Sequence, residues 1–536
     1  EGQQGDNYGS PDKCATCLKH YMGYGFPING KDRTPAWISE RMIREYFLPT
    51  FEEGVKAGSP TVMVNSAEVD GIPGHANYHY LTEILKGELK FEGFAVSDWE
   101  DIKRLYTRDK LASSPKEAVK MAVMAGVDMS MVPFDFTFYD LLLELVKDGE
   151  VPVERIDDAV SRILKVKYQT GIFENPYPDS SMTKKFATEE SEKINLQSAR
   201  ESIVLAKNEG NILPLKKNSK ILVTGPTANL LHVLNGGWTV TWQGDDESLY
   251  PKDKLTVLKA IEKKCEGKVT YIEGSTFDKE SDMEKAVKGA ENSDVILVCL
   301  GEKAYCETPG SIENLTLDKA QIKLAKAMIK TGKPVIILLL EGRPRVITEI
   351  AEDASAVIIG MRPGMEGGRA IADIIFGDYN PDGKLPFTYP RNPNGITLYD
   401  YKPIENFDAN KYNPLYPFGH GLSYTTFEIS GLTLDKKTVK KGEAVKATVT
   451  VKNTGNLAGK ETVLMYLNDA AAQVSRPNKQ LKGFEKVCLN PGESKNITFE
   501  ITPHAMSFIG LENKRIIEEG EFKVIVGNME ENFVLK

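Results

Sequence analysis

The sequence predicts a multidomain α/β protein that finishes in an all-β domain, and three observations predict it. At 536 residues the chain exceeds the roughly 250–300 residues at which single hydrophobic cores stop growing. Short apolar strands alternate with helical stretches through two successive regions. From about residue 428 the pattern changes to strands whose residues alternate apolar and polar.

The first region, residues 1–172, carries strands at Cys17-Leu18-Lys19-His20, Thr61-Val62-Met63-Val64, Phe94-Ala95-Val96-Ser97 and Val127-Asp128-Met129-Ser130-Met131. Continuous apolar runs joined by crossover helices, such as 116–125, read as buried parallel strands. Each run ends in polar or unusual residues, and strand C-terminal ends are where α/β barrels keep their chemistry. About four such units are visible where a (β/α)8 barrel needs eight, so the region reads as part of a TIM-type barrel. A helix over 154–168 places Ile156, Val160, Ile163 and Lys167 on one face and stops at Gly171. Residues 173–195, with the Pro-rich run Asn175-Pro176-Tyr177-Pro178-Asp179, read as a linker.

The second region, 196–424, has strands at 221–223, 269–271, 295–298, 335–339 and 357–359, separated by amphipathic helices such as 255–265 and 318–330. That is an α/β sandwich: an open sheet with helices on both faces, where ligands favour the strand C-terminal edge. In the third, 428–536, Val445, Ala447, Val449 and Val451 alternate with Lys446, Thr448, Thr450 and Lys452. Turns follow at Asn453-Thr454-Gly455 and Asn490-Pro491-Gly492, the pattern of a β-sandwich.

A net charge of −9 argues against nucleic acid, whose phosphates need a basic surface, and against an anionic membrane surface. No apolar run approaches the roughly 20 residues that cross a bilayer, so no membrane insertion is expected. Six scattered cysteines are not a disulfide framework. Cys14 and Cys17 form a C-x-x-C without a second pair at zinc spacing, so core packing is expected and no metal site. Glu1-Gly2-Gln3-Gln4 has neither an initiator methionine nor a leader pattern, and assigns no compartment.

The strongest chemical motif is Gly93-Phe94-Ala95-Val96-Ser97-Asp98-Trp99, in which a strand delivers a carboxylate beside a tryptophan. Glycosidases need one carboxylate to attack or stabilise an oxocarbenium-like centre and a second to protonate the leaving oxygen. Flat aromatics suit the apolar faces of sugar rings. The structural alternative is that Asp98 caps the following helix. Lys19-His20 ends another strand of the same region, and both side chains can hydrogen-bond hydroxyl groups. A strand-end pair facing solvent is the plainer reading of that dipeptide.

Six motifs in order, spanning essentially the whole chain, resemble glycoside hydrolase family 3. Lys19-His20-Tyr21 is similar to the family's Lys-His-Phe/Tyr element, and Ser97-Asp98-Trp99 to its nucleophile signature. Ala125-Gly126-Val127-Asp128-Met129-Ser130-Met131 resembles the next strand, and Asn208 to Leu215 the segment leading into the second domain. Tyr416-Pro417-Phe418-Gly419-His420-Gly421 is similar to that domain's exit. Arg476-Pro477 and the run Leu481 to Val487 resemble the family's fibronectin type III-like module. The resemblance implies Asp98 as the nucleophile, Lys19 and His20 on sugar hydroxyls, and Met131 lining the sugar pocket. It implies an acid/base within Gly301-Glu302-Lys303-Ala304-Tyr305-Cys306-Glu307-Thr308, where Glu307 is preferred to Glu302. Without it, Glu307 would read as an ordinary loop carboxylate. Glu302, at a strand end, is expected to bind substrate or to tie down its loop. Gly236 to Gly244 looks like a further element of the exo-glucanase-like branch, whose later tryptophan, here Trp242, is implied to face Trp99 across the aglycone. Core packing is expected for Trp37 and stays open for Trp238.

The resemblance thus implies a C-terminal part of the barrel with the nucleophile, an α/β sandwich with the acid/base, and a fibronectin type III-like β-sandwich. It also implies that the early barrel strands lie outside this chain. A homodimer, or association with that missing segment, would cover the exposed edges. The segment Asn65 to Gly71 departs from the family's pattern near Ser66 and Asp70. The expected activity is that of a retaining, exo-acting β-glucosidase needing no cofactor. A secreted or periplasmic location and a small-molecule or oligosaccharide substrate follow from the same resemblance. The alternatives are a β-xylosidase of the same family and a non-catalytic sugar-binding or scaffold protein.

Overall fold

Parallel strands and crossover helices build the first of two units into which the chain divides: Glu1–Phe186 with Phe508–Ile516, then Ala187–Ser507 with Ile517–Lys536. The computed structural model describes residue 4 and residues 8–10, 12–395, 398–400 and 412–536, so the terminal Glu1-Gly2-Gln3 lies outside the described residues.

In the first unit β1 (Cys17–Tyr21), β2 (Thr61–Val64) and β5 (Phe94–Val96) form a parallel sheet in the order β1-β2-β5. A parallel bridge from Val96 to Met129 continues it. A short antiparallel pair, β3 (Glu68–Val69) and β4 (Ile72–Pro73), follows the end of β2. Val62, Val64 and Ala95 pack against Ile84, Leu105, Ala118 and Ala122 from the crossover helices. Helix Pro115–Ala125 shows why those helices start and stop where they do. Ser114 accepts from the Glu117 N–H, Pro115 fixes the first turn, and Gly126 takes a positive φ at the end.

Three expectations need correction here. Helix Val153–Gln169 buries Ala159 and Val166 and packs Ile156 against the core, while Val160 and Lys167 are exposed; the buried stripe shares Ile156 with the expected face and leaves Val160 and Lys167 outside it. Cys14 and Cys17 are exposed; among the described residues β1 pairs with β2 alone. Trp37 is 71% exposed, in the long loop after β1, and not in the core.

The second unit opens with helix Glu189–Ser202, so the expected linker over 173–195 is helical in its last part. Thr188 caps that helix by accepting from Ser191 N–H, and Glu189, Glu190 and Glu192 favour its positive end. Six strands follow: β6 (Val204–Asn208), β7 (Ile221–Thr224), β8 (Val269–Tyr271), β9 (Val295–Gly301), β10 (Val335–Leu340) and β11 (Ala356–Ile359). Their order is β6-β11-β10-β9-β7-β8, with β6 antiparallel at the edge and the rest parallel. The strands bury both faces. Leu297, Cys299, Ile336 and Leu338 enter one core, and Ile296, Val298, Ile337 and Leu339 the other. After β7 the chain runs outward to β8 and then crosses back to β9, so β7 and β9 flank a topological switch point. Gly225, just after β7, lies so close to β9 that a Cβ would sit 2.1 Å from the Cys299 carbonyl oxygen.

The all-β part packs a sheet of β12 (Phe427–Leu434), β14 (Val445–Asn453) and β17 (Ser494–Ile501) on a second one. The latter holds β13 (Thr438–Val439), β15 (Gly459–Asp469), β16 (Gln480–Leu489), β20 (Gly520–Val526) and β21 (Met529–Leu535). Val445, Ala447, Val449 and Val451 are buried between them. A hairpin of β18 (Phe508–Ile509) and β19 (Arg515–Ile516) groups instead with the first unit, where Ile509 N–H donates to the Glu45 carboxylate at 2.6 Å.

Candidate active site

At the C-terminal edge of the parallel sheet in the first unit, the chain leaves β5 through Ser97 and Asp98. Ser97 N–H donates to the Met129 carbonyl, and Met131 N–H donates to Ser97 Oγ. Glu100 N–H donates to the Met131 carbonyl. These bonds strap the Asp98 turn to the neighbouring strand end, so the position of Asp98 follows from the β ladder. Asp98 itself is buried. Its Oδ1 accepts from Trp99 N–H at 2.6 Å, and its own N–H donates to His75 Nε2 at 3.1 Å. Its Oδ2 is buried and accepts no hydrogen bond among the described residues. That oxygen faces His20 Nε2 at 3.6 Å and Arg33 Nη2 at 3.7 Å. The capping alternative does not describe this geometry: helix Asp101–Thr107 starts at Glu100 without a side-chain cap. A buried carboxylate oxygen that faces an imidazole and a guanidinium just beyond bonding distance is an unused acceptor.

Burial pushes the His75 imidazole down to about 3, so the ring is neutral and its Nε2 is the acceptor that Asp98 N–H requires. His75 Nδ1 lies 3.9 Å from Asp101, whose carboxyl is buried and raised by desolvation. Arg33 also donates from Nε to Ser66 Oγ. Neither Arg33 nor His75 figured in the sequence reading. Their signal was position: each sits in the connection that follows a strand, Arg33 after β1 and His75 after β4. Of the expected substrate-binding residues here, His20 lies beside Asp98, and its ring is 4.5 Å from that of Tyr24. Lys19 is exposed in the middle of β1. Trp99 is 46% exposed and meets Phe134 edge-on, and Met131 is half-buried on the strap described above.

In the second unit, Glu302 to Gly310 leaves β9 at the switch point. Both oxygens of Glu302 are engaged within the protein. Arg345 Nη1 and Arg343 Nε donate to Oε1 at 2.7 and 3.1 Å, and Tyr305 OH and Gly342 N–H donate to Oε2 at 3.2 and 3.3 Å. Of the two roles weighed for this buried residue, the geometry gives it loop-holding; it offers little to a sugar. Arg343 stacks 4.0 Å from the Tyr305 ring, and Arg362 donates to the Glu302 and Lys303 carbonyls. Beneath them Glu341 is fully buried, accepts from Tyr389 OH, and has a carboxyl pushed by burial up to about 8.

Glu307 is half-buried at the tip of this loop, before the turn Thr308–Gly310, with φ 53° and ψ −149°. A non-glycine residue held there costs on the order of 1–3 kcal/mol and needs surrounding structure to impose it. Trp242 is 47% exposed on the loop 236–244, and Trp238 is 66% exposed on the same loop. The exposed ring of Trp242 is a flat apolar platform. Among the described residues no group of three His, Cys, Asp or Glu is placed to hold a metal ion.

The chain matches "Glycosyl hydrolase family 3 N terminal domain" over residues 1–166 and "Glycosyl hydrolase family 3 C-terminal domain" over residues 203–424. Residues 461–530 match "Fibronectin type III-like domain". The chain is 42% identical over 541 residues to a lysosomal beta glucosidase of Dictyostelium discoideum, covering 96% of this chain and 66% of the relative. A beta-xylosidase of Formosa agariphila is 35% identical over 531 residues, covering 95% and 73%. The crystal structure of a beta-glucosidase from Listeria innocua in complex with glucose superposes with TM-score 0.92 at 33% identity, covering 99% of this chain and 76% of that one. The chain thus spans 66% to 76% of the length of these relatives.

Proposed function

This chain belongs to glycoside hydrolase family 3, and from that premise we propose that it is a retaining, exo-acting β-glucosidase that releases terminal glucose from β-glucosides or oligosaccharides. Asp98 Oδ2 attacks the anomeric carbon while Glu307 protonates the departing glycosidic oxygen. Glu307 then takes a proton from water, which displaces Asp98 from the sugar. His20 and Arg33, which flank Asp98, bond the sugar hydroxyls with Lys19. Trp99 and Trp242 stack on sugar rings, and Met131 packs against the bound glucose. The observation that supports the nucleophile most is the buried Oδ2, without a hydrogen bond among the described residues and flanked by His20 and Arg33 at a strand end.

A 2-deoxy-2-fluoro-glucoside with a good leaving group tests it. The fluorine slows hydrolysis of the glycosyl-enzyme, and peptide mass mapping should place the sugar on Asp98. A label on any other residue would overturn the assignment. The beta-xylosidase relative supports a second reading, in which the pocket takes a pentose. Comparing kcat/KM for nitrophenyl glucoside and nitrophenyl xyloside separates the two.

A further inference from the structure

The loop that carries Glu307 has two anchors. One is the Glu302–Tyr305–Arg343–Arg345 cluster at its base. The other comes from the separate loop 236–244, where the Gln243 carboxamide meets the backbone next to Glu307. Cys306 N–H donates to Gln243 Oε1 at 3.1 Å, and Gln243 Nε2 donates to the Cys306 carbonyl at 3.2 Å. One planar amide thus satisfies both backbone groups of Cys306 and fixes the peptide leading into Glu307, as a strand partner would. Cys306 Sγ–H donates in turn to the Trp242 carbonyl at 3.1 Å. Gly237 closes the contact: a Cβ there would lie 2.6 Å from Cys306 Cβ and 2.7 Å from the Tyr305 carbonyl oxygen.

Resting on the reading of Glu307 as acid/base, we propose that Gln243 is a positioning residue: its two-point clamp on Cys306 sets the Glu307 carboxyl for proton transfer and couples it to the Trp242 platform. Loss of the clamp takes the Gln243 amide away from both backbone groups of Cys306, and the carboxyl of Glu307 moves off the line to the leaving oxygen. Such a residue acts on protonation of the leaving group and not on nucleophilic attack, so its loss has a kinetic signature.

The test compares Gln243→Leu, Gln243→Glu and Glu307→Ala on dinitrophenyl, nitrophenyl and phenyl β-glucosides, with thermal unfolding checked for each. Dinitrophenolate leaves with little acid help, whereas phenolate needs it. In Gln243→Leu, kcat/KM for the phenyl glucoside should fall about 10- to 100-fold while the dinitrophenyl glucoside changes less than about threefold. Gln243→Glu keeps the size of the side chain. Its deficit should shrink at low pH, where the protonated carboxyl again donates to the Cys306 carbonyl. A loss equal for all three leaving groups, or none, would overturn the proposal while leaving Glu307 in place if Glu307→Ala keeps its leaving-group dependence. If Glu307→Ala shows no such dependence, the acid/base reading fails and the positioning role fails with it.

Discussion

Asp98 and Glu307 are held by opposite means. Asp98 leaves a buried parallel strand, and main-chain bonds to Met129 and Met131, aided by Ser97 Oγ, fix its turn. Glu307 stands at the tip of a loop whose shape depends on side chains: Glu302, Tyr305, Arg343 and Arg345 at the base and Gln243 near the tip. Backbone pairing is indifferent to side-chain identity, so the first arrangement tolerates substitution around it. The second is set by a handful of polar groups and responds to each of them. A nucleophile must form a bond at one angle, whereas an acid must follow leaving groups of different shape, and the two supports suit those tasks.

The largest effect should come from the rigid side. Asp98→Asn should lower kcat by roughly 10⁴-fold or more, with thermal stability retained, because the turn is held by its neighbours. Near-normal turnover in that variant would break the comparison at its first term. Next, Glu307→Gln should lower kcat/KM for a phenyl glucoside by about 10²- to 10⁴-fold and remove the alkaline limb of the pH–rate profile, since the amide has no proton to give up. Retention of that limb would assign the proton to another group. Third, Trp242→Ala should raise KM for aryl glucosides by roughly tenfold and move kcat much less, as expected for lost stacking area. An unchanged KM would detach the 236–244 loop from substrate.

The smallest effect concerns the foundation of the acid loop. The Glu341 carboxyl titrates at about 8 in the fold, against an ordinary 4.5. Between those values the folded chain holds a proton that the unfolded chain has released, so stability falls as pH rises from about 4.5 to 8. Glu341→Gln should flatten that decline by more than about 1.4 kcal/mol, the equivalent of one pKa unit. Unfolding midpoints measured across that range check it, and parallel slopes in the two proteins would show that Glu341 is ionised in the fold.

The same contrast explains what the sequence discloses. The place of Asp98 is legible because a strand ends at it, and periodicity locates strand ends; its role as nucleophile comes from the resemblance. The α/β sandwich and the alternating β14 are legible for the same reason, since both cores of the sheet are filled by residues of fixed period. Glu307 emerges only through resemblance, because no periodicity marks a residue whose backbone is imposed by distant side chains. Arg33 and His75 reach Asp98 from loops after two other strands, contacts that no local pattern records. Trp37 was expected inside because tryptophan is mostly apolar, yet it lies in the loop after β1 with most of its surface in solvent. The Val160 face of helix Val153–Gln169 failed similarly: the buried stripe shares Ile156 with it but runs through Ala159 and Val166, leaving Val160 outside.

The place of β9 in its sheet has one more consequence. It is flanked by β7 and β10 and buried on both faces along its whole length, so its end is a fixed mount. The chain returns to the core at Leu317, ahead of helix Lys319–Ile329. The stretch between adds no side chain to either hydrophobic layer of the sheet, so it is exchangeable as a cassette together with Arg343 and Arg345, which hold its Glu302. Grafting this stretch from a relative, together with the matching 236–244 loop, should transplant aglycone preference while the recipient keeps its melting behaviour.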